Sequence, residues 1–232
     1  MEPIKAQVLD IFEVTEGIYE LELQAPAVVE QARPGQFAML RPGNGGKPYL
    51  ARPMGIYDVN PKRDSISILF EVHGAGTQAM AQLQPGNAVD LLAPLGNGFT
   101  VAEATRRALV IGGGSGVAPL YPLLCQLRRQ DVETEIMLGA QCGERMLGLE
   151  RLVPLGMVTR LYTDNGTMGK QGYPTDDLPE VLRYGRFDQV FCCGPMPLMR
   201  GVARICGDYR TPCQDSLEER MGCGFGICVC CV

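Results

Sequence analysis

Four of the ten cysteines in this 232-residue chain fall in its last ten positions, Cys223-Gly-Phe-Gly-Ile-Cys228-Val-Cys230-Cys231-Val232. Cys223, Cys228 and Cys231 are separated by four and then two residues, which is the spacing of the first three thiolates of a plant-type [2Fe-2S] set. Gly224 and Gly226 let the backbone wrap closely and turn amide N–H groups toward cluster sulfurs. A plant-type set takes its fourth thiolate from further downstream, and only one residue follows Cys231 here; the expectation is a fourth ligand that is absent because this sequence ends early, or one supplied by Cys230, Cys213 or a partner chain. Two other readings stay open at this point: a structural zinc site, since closely spaced cysteines also ligate Zn²⁺, and a disordered cysteine-rich tail.

Other stretches carry chemistry of a different kind. Arg52-Pro53-Met54-Gly55, placed just before an expected strand, offers a guanidinium for bidentate pairing with phosphate and a rigid proline to lie flat against a ring. Gly74-Ala-Gly76-Thr77 is a glycine-rich turn able to present N–H groups and a hydroxyl to a pyrophosphate. Gly112-Gly113-Gly114-Ser-Gly116-Val-Ala-Pro119 follows an apolar run and precedes an apolar helix, the strand–glycine loop–helix arrangement that cradles a dinucleotide phosphate. It departs from G-x-G-x-x-G at its last position, and Pro119 suits a first helical turn. Thr163-Asp164-Asn165-Gly166 and Cys193-Gly194-Pro195-Met196 sit at the ends of two further expected strands, where ligands of parallel sheets bind. Taken singly, each of these is as readily a plain turn. His73, the sole histidine, reads as a surface strand residue or a pH-sensitive contact.

The elements that must position these residues change character near residue 100. Apolar runs at 7–12, 18–23, 37–41, 56–59, 65–72 and 88–92, punctuated by turns such as Arg33-Pro34-Gly35 and Gln84-Pro85-Gly86-Asn87, predict an antiparallel β barrel or sandwich with one short helix at 77–83. Strands at 108–111, 135–139, 158–162 and 189–192 then alternate with helices at 119–129, 178–184 and 197–206, which predicts a doubly wound α/β domain. The expected division is 1–101 barrel, 102–210 α/β domain and 211–232 cysteine-rich segment. A net charge of −5 and a pI near 5.0 supply no basic stripe to displace phosphate counterions, so nucleic acid is excluded as a partner. No apolar run approaches the roughly 18 residues of a membrane span, and the opening Met1-Glu-Pro-Ile-Lys lacks a secretory signal pattern. The expectation is a cytoplasmic protein whose cysteines are ligands or free thiols.

The order Arg-Pro-x-Gly, strand, Gly-x-Gly-Thr, then Pro94-Leu95-Gly96-Asn97-Gly98-Phe99 resembles the flavin-binding barrel of the ferredoxin-NADP reductase superfamily. The resemblance implies FAD, held by Arg52, Pro53, Met54 and Gly55, by Leu69, Phe70 and Glu71 on the strand beside it, and by Gly76 and Thr77 at the pyrophosphate. Glycine at 55 replaces the serine common in that superfamily, so one hydroxyl near the flavin is missing. The second half resembles its nicotinamide lobe, which implies NAD(H) at Gly112, Gly113, Gly114, Gly116, Pro119, Asp164, Gly194, Pro195 and Met196, with Cys193 positioning the nicotinamide. Arg145 stands without a basic cluster, favouring NADH over NADPH.

From Ser216 through the cysteine motif the chain resembles the electron-transfer subunit family of B-type, NAD-dependent dihydroorotate dehydrogenases. That resemblance implies a partner subunit holding FMN, where dihydroorotate becomes orotate in pyrimidine biosynthesis, and a path from FMN through the [2Fe-2S] cluster and FAD to NAD⁺. The alternatives are a subunit of an NAD(P)H-ferredoxin or sulfide-dehydrogenase type reductase and, from another class, a zinc-binding interaction module.

Overall fold

The computed structural model describes residues 2–43 and 49–231, so Val232 at the end of the cysteine stretch lies outside it. By internal contacts the chain divides into two compact units, one formed by Met1–Gly98 with Glu218–Val232 and the other by Phe99–Leu217.

The first unit is a closed antiparallel barrel of β1 (Ile4–Thr15), β2 (Ile18–Gln24), β3 (Phe37–Pro42), β4 (Arg52–Asn60), β5 (Ser65–Glu71) and β6 (Ala88–Leu95), in the order β1-β2-β5-β4-β3-β6. Two short helices, α1 (Pro26–Val29) and α2 (Ala75–Ala81), accompany the strands. Alternate residues point inward: Ala6 and Val8, Leu21 and Leu23, Ala38 and Leu40, Ile66, Ile68 and Phe70, Val89 and Leu91 fill one apolar core. The β1–β2 hairpin turns at Glu16-Gly17, where Gly17 has φ +74°, a conformation glycine adopts without steric cost.

The second unit is a six-stranded parallel sheet in the order β10-β9-β8-β7-β11-β12, made of β7 (Arg107–Gly113), β8 (Glu133–Ala140), β9 (Val158–Thr163), β10 (Lys170–Gln171), β11 (Gln189–Cys193) and β12 (Cys213–Ser216). Its helices are α3 (Val117–Arg129), α4 (Leu149–Leu152), α5 (Pro174–Gly185) and α6 (Met196–Asp208). Helix α3 buries Leu120, Leu123, Leu124 and Leu127, the three-and-four spacing of one helical face. Leu178 and Leu182 of α5 with Met199, Val202 and Ile205 of α6 cover Leu109, Ile111, Val190 and Cys192.

Several boundaries differ from the sequence expectation. Strand β4 starts at Arg52, so the Arg-Pro motif lies within a strand instead of preceding it. Pro53 is tolerated because β4 pairs only with β3 at that level; its pairing with β5 begins at Ile56, so no ladder bond is lost there. Helix α2 starts two residues earlier than expected and takes Gly76 and Thr77 into its first turn. Cys213–Ser216, expected within the cysteine-rich segment, is the edge strand β12, too short and polar to show a strand pattern.

Candidate functional site

In the barrel unit, Arg52, Pro53, Met54 and Gly55 pair with Leu40, Met39, Ala38 and Phe37 across β3. Pro53 and Gly55 therefore share the outer face with Met39 and Phe37, while Met54 packs toward the core. Arg52 reaches the Leu50 carbonyl and lies so close to Gly76 that a Cβ there would overlap its guanidinium. The structure thus brings Arg52 and the Gly74–Thr77 turn together, and glycine at 76 is what permits it. Thr77 is buried, and its Oγ1 accepts the N–H groups of His73 (2.9 Å) and Gly74 (3.2 Å) while donating to the Gly74 carbonyl (3.1 Å). Its hydroxyl is thereby spent on shaping the turn, which leaves backbone N–H groups as the donors a phosphate would meet. On β5, Leu69 faces outward, but the Phe70 ring is withdrawn into the barrel core, 5.8 Å from Tyr19 in a stacked pair. Glu71 pairs with exposed His73 (3.2 Å).

The cysteine stretch belongs to the same unit. Met221 packs against Met39, Leu92 and Leu95, an apolar patch on the outer face of β3 and β6. Gly224, at φ +78°, lies against that patch, and a Cβ there would stand 2.6 Å from Met39 Cγ and 3.2 Å from Leu95 Cδ1. The Cys223 thiol is lowered to about 6 by N–H groups of Cys228 and Phe225, with further help from the Cys228 thiol and the Ile227 N–H. Those fixed amides stabilise a thiolate, as an anionic iron–sulfur cluster requires. Cys223 and Cys228 are in hydrogen-bond contact, yet among the described residues no three His, Cys, Asp or Glu side chains gather into a metal-binding group, so Cys231 does not complete a triplet. Cys213, one expected source of a fourth thiolate, is instead engaged by Cys206 and Asp215 in the second unit.

In the α/β unit the chain builds β7, β8, β9 and β10 to one side and then returns to place β11 and β12 on the other, so the strand order reverses between β7 and β11. Crevices at such a reversal, beyond the carboxyl ends of the strands, are where this architecture binds nucleotides. Both expected nicotinamide motifs flank it. Gly112 pairs with Cys193, and the Gly114–Gly116 turn leads into α3. A Cβ on Gly116 would lie 2.7 Å from Gly194 Cα and inside the Cys193 carbonyl; one on Gly113 would meet Pro195 Cδ at 2.9 Å. A Cβ on Gly194, at φ +157°, would stand 3.0 Å from both Cα and N of Gly113. The two loops pack backbone to backbone, which only glycine allows. Pro119 is buried within the first turn of α3, and Pro195 caps α6 ahead of the partly exposed Met196. Cys193 is 1% exposed. Asp164 is exposed at the same edge of the sheet but after β9, two strands from β7, where its N–H is held by the Ala140 carbonyl (3.1 Å).

The outer patch of Met39, Leu92 and Leu95 was not singled out from sequence. Its signal is present in the runs Phe37-Ala-Met-Leu40 and Leu91-Leu-Ala-Pro-Leu95, which are apolar on both strand faces and so demand a second cover.

No family model matches the chain. Among curated proteins, the dihydroorotate dehydrogenase B (NAD(+)) electron transfer subunit of Geobacillus kaustophilus (strain HTA426) is 39% identical over 94% of this chain and 84% of its own length. The subunits of the same name from Bacillus caldolyticus (39%, 94% and 84%) and Bacillus cereus strain Q1 (39%, 95% and 84%) are equally similar. The chain belongs to this family of electron-transfer subunits. Similar solved structures include an NADH-dependent reduced ferredoxin-NADP oxidoreductase (TM-score 0.86, 24% identity, 97% of this chain and 80% of that one). A ferredoxin NADP+ reductase from Neisseria gonorrhoeae with bound FAD and NADP follows the same fold (TM-score 0.75, 15% identity, 94% and 100%). At such identities these two attest the fold alone. Barrel and parallel sheet together are therefore the ferredoxin-reductase architecture, and the family is one of oxidoreductases.

Proposed function

We propose that this chain is the electron-transfer subunit of an NAD-dependent dihydroorotate dehydrogenase, linking a partner FMN subunit that oxidises dihydroorotate to orotate with NAD(H), in the cytoplasm. One observation carries the reading: the cysteine loop is docked on the outer barrel face at Met39 and Leu95, and Met39 is the cross-strand partner of Pro53 in the Arg-Pro motif. Free thiols at all ten cysteines suit a reducing compartment.

The residues of the barrel and of the α/β unit suit the flavin and nicotinamide groups this family role implies, and Cys223 and Cys228 suit a cluster whose third thiolate, Cys231, is not gathered beside them here. Bound FAD exchanges a hydride with nicotinamide and single electrons with a [2Fe-2S] cluster, which makes it the two-to-one electron converter. Arg52 and the N–H groups around Gly76 would hold its phosphates, and Pro53, Gly55 and Leu69 offer an outer face free of bulky polar groups. Cys223 and Cys228 would ligate the cluster with Cys231, the amides of Phe225, Ile227 and Cys228 neutralising its charge. Gly112, Gly113, Gly114, Gly116 and Pro119 would receive the NAD(H) phosphates, with Gly194, Pro195, Met196 and buried Cys193 beside them and Asp164 toward the far end of the dinucleotide.

The test is a visible spectrum, with iron analysis, of the anaerobically purified chain alone and with its partner subunit. Flavin bands bleached by NADH in the chain alone, and by dihydroorotate only when the partner is present, are the expected result. A colourless chain, or a flavoprotein that dihydroorotate never reduces in the complex, overturns the proposal.

A further inference from the structure

A second group of thiols lies away from the cysteine tail, in the α/β unit. Cys206, in the last turn of α6, is 1% exposed, and Cys213 opens β12 with its side chain packed against the same core. The turn between them is tight: Arg210 adopts a left-handed φ of +55°, and the Thr211 N–H donates to the Cys206 carbonyl at 2.9 Å, which folds Cys213 back toward Cys206. Pairing of Cys213 with Val190 on β11 fixes its register. The Cys213 thiol points toward Asp215 Oδ1 at 3.9 Å, and that carboxylate also takes a hydrogen bond from Cys192.

We propose that Cys206 and Cys213 are a redox-active dithiol, converted by hydrogen peroxide to a disulfide that ties α6 to the edge strand leading into the cysteine segment. The sulfur of the first thiolate attacks one peroxide oxygen; the O–O bond breaks, leaving a sulfenic acid and hydroxide. The second thiol then attacks that sulfur, the S–S bond forms and a second hydroxide leaves. The two thiol protons end on the two hydroxides as water, so the pair loses two electrons and the peroxide gains two. The local electrostatics suit this order. The hydrogen bond between the thiols lowers Cys206 and raises Cys213, whose thiol is pushed up further by burial and by Asp215. Burial in turn raises Asp215, bringing that carboxyl closer to the range in which it relays a proton.

Tryptic cleavage after Arg204, Arg210 and Arg220 places the two cysteines in separate peptides, residues 205–210 and 211–220, each with no other cysteine. The experiment titrates the full chain with hydrogen peroxide, blocks remaining thiols and maps the peptides. The expected product is one linked pair of these peptides, lighter than their sum by two hydrogens and separated by dithiothreitol. Thermal unfolding of the oxidised chain should rise by roughly 5 °C, as a short closed loop provides, and fall again on reduction. Cys213→Ser, at the half-buried position, should keep the fold and lose both effects. Recovery of both peptides as alkylated monomers, over-oxidation of Cys213 without a link, or a link from Cys213 to the peptide holding Cys192 would each overturn the proposal.

Discussion

Changing Gly116 to alanine tests whether the two nucleotide loops of the α/β unit act as one site. The added Cβ would stand 2.6 Å from the Cys193 carbonyl carbon and 2.7 Å from Gly194 Cα, and both neighbours are backbone with no rotamer to yield. Ordinary contact needs roughly 0.7 Å more, so the loops must part. Overpacking of this kind costs about 1–3 kcal/mol. Expressed at the site, that weakens NADH binding by roughly 5- to 150-fold, since about 1.4 kcal/mol is tenfold. The assay is an NADH titration followed by flavin bleaching, with FAD content and thermal unfolding measured in parallel; FAD content should not change. Gly207→Ala is the internal control, because nothing lies within 4 Å of its Cβ and it sits exposed in α6. It should add about 0.5–1 kcal/mol of stability and leave NADH binding alone. A Gly116→Ala protein that folds normally and binds NADH within twofold of the unaltered chain would refute the reasoning.

Two further perturbations probe the barrel unit. Gly224→Ala forces a side chain into a φ of +78° and against Met39 Cγ at 2.6 Å, so about 1–2 kcal/mol opposes docking of the cysteine loop; iron per chain should fall while FAD per chain holds, and undiminished iron refutes the docking argument. Asp90 joins β6 to β1 through Lys5 (2.5 Å) and to β3 through Arg41 (2.5 Å), and hydrogen bonds from those two cations hold its carboxyl below the usual carboxylate range. A depressed carboxylate contributes stability that is present above its unfolded pKa of about 4 and is lost as pH falls through the lower folded value. With Lys5 mostly exposed and Arg41 about a third exposed, solvent screens the pairs, so Asp90→Asn should cost about 1 kcal/mol at pH 7, and urea unfolding should show the deficit disappearing toward pH 2; a deficit independent of pH would point to packing instead.

What the sequence made legible follows from how local each signal is. Strand alternation and the change to alternating strands and helices near residue 100 are written in consecutive residues, and so are the glycine loops at 112–116 and 193–196. The start of β4 was not legible, because a proline argues against a strand until the neighbouring strand is known to be absent at that level. Phe70 reads as a flavin neighbour from its motif, but a period of two gives its ring the face opposite to Leu69, and only the barrel shows which face is inside. The Cys206–Cys213 pair was hidden for a related reason: six intervening residues give no spacing rule, and the left-handed turn at Arg210 is what closes them.

The placement of the cysteine loop says why a barrel is a suitable base for an electron carrier. Met39 lies under Gly224, and its cross-strand partner is Pro53, with Phe37 and Gly55 the next such pair. Directly paired residues in antiparallel strands keep Cα atoms about 4.5–5.5 Å apart. The separation between the loop's seat and the Arg-Pro motif is thus set by a hydrogen-bonded ladder, and not by the conformations available to the loop. Sites built on such elements hold their geometry more tightly than sites built on loops. A side chain at 39 acts on both at once: it is the floor for Gly224 and the neighbour of Pro53. Shortening it, as in Met39→Ala, removes the floor without touching a cysteine, so loss of iron in that variant would trace the cluster segment's stability to the barrel face and not to the spacing of its thiols.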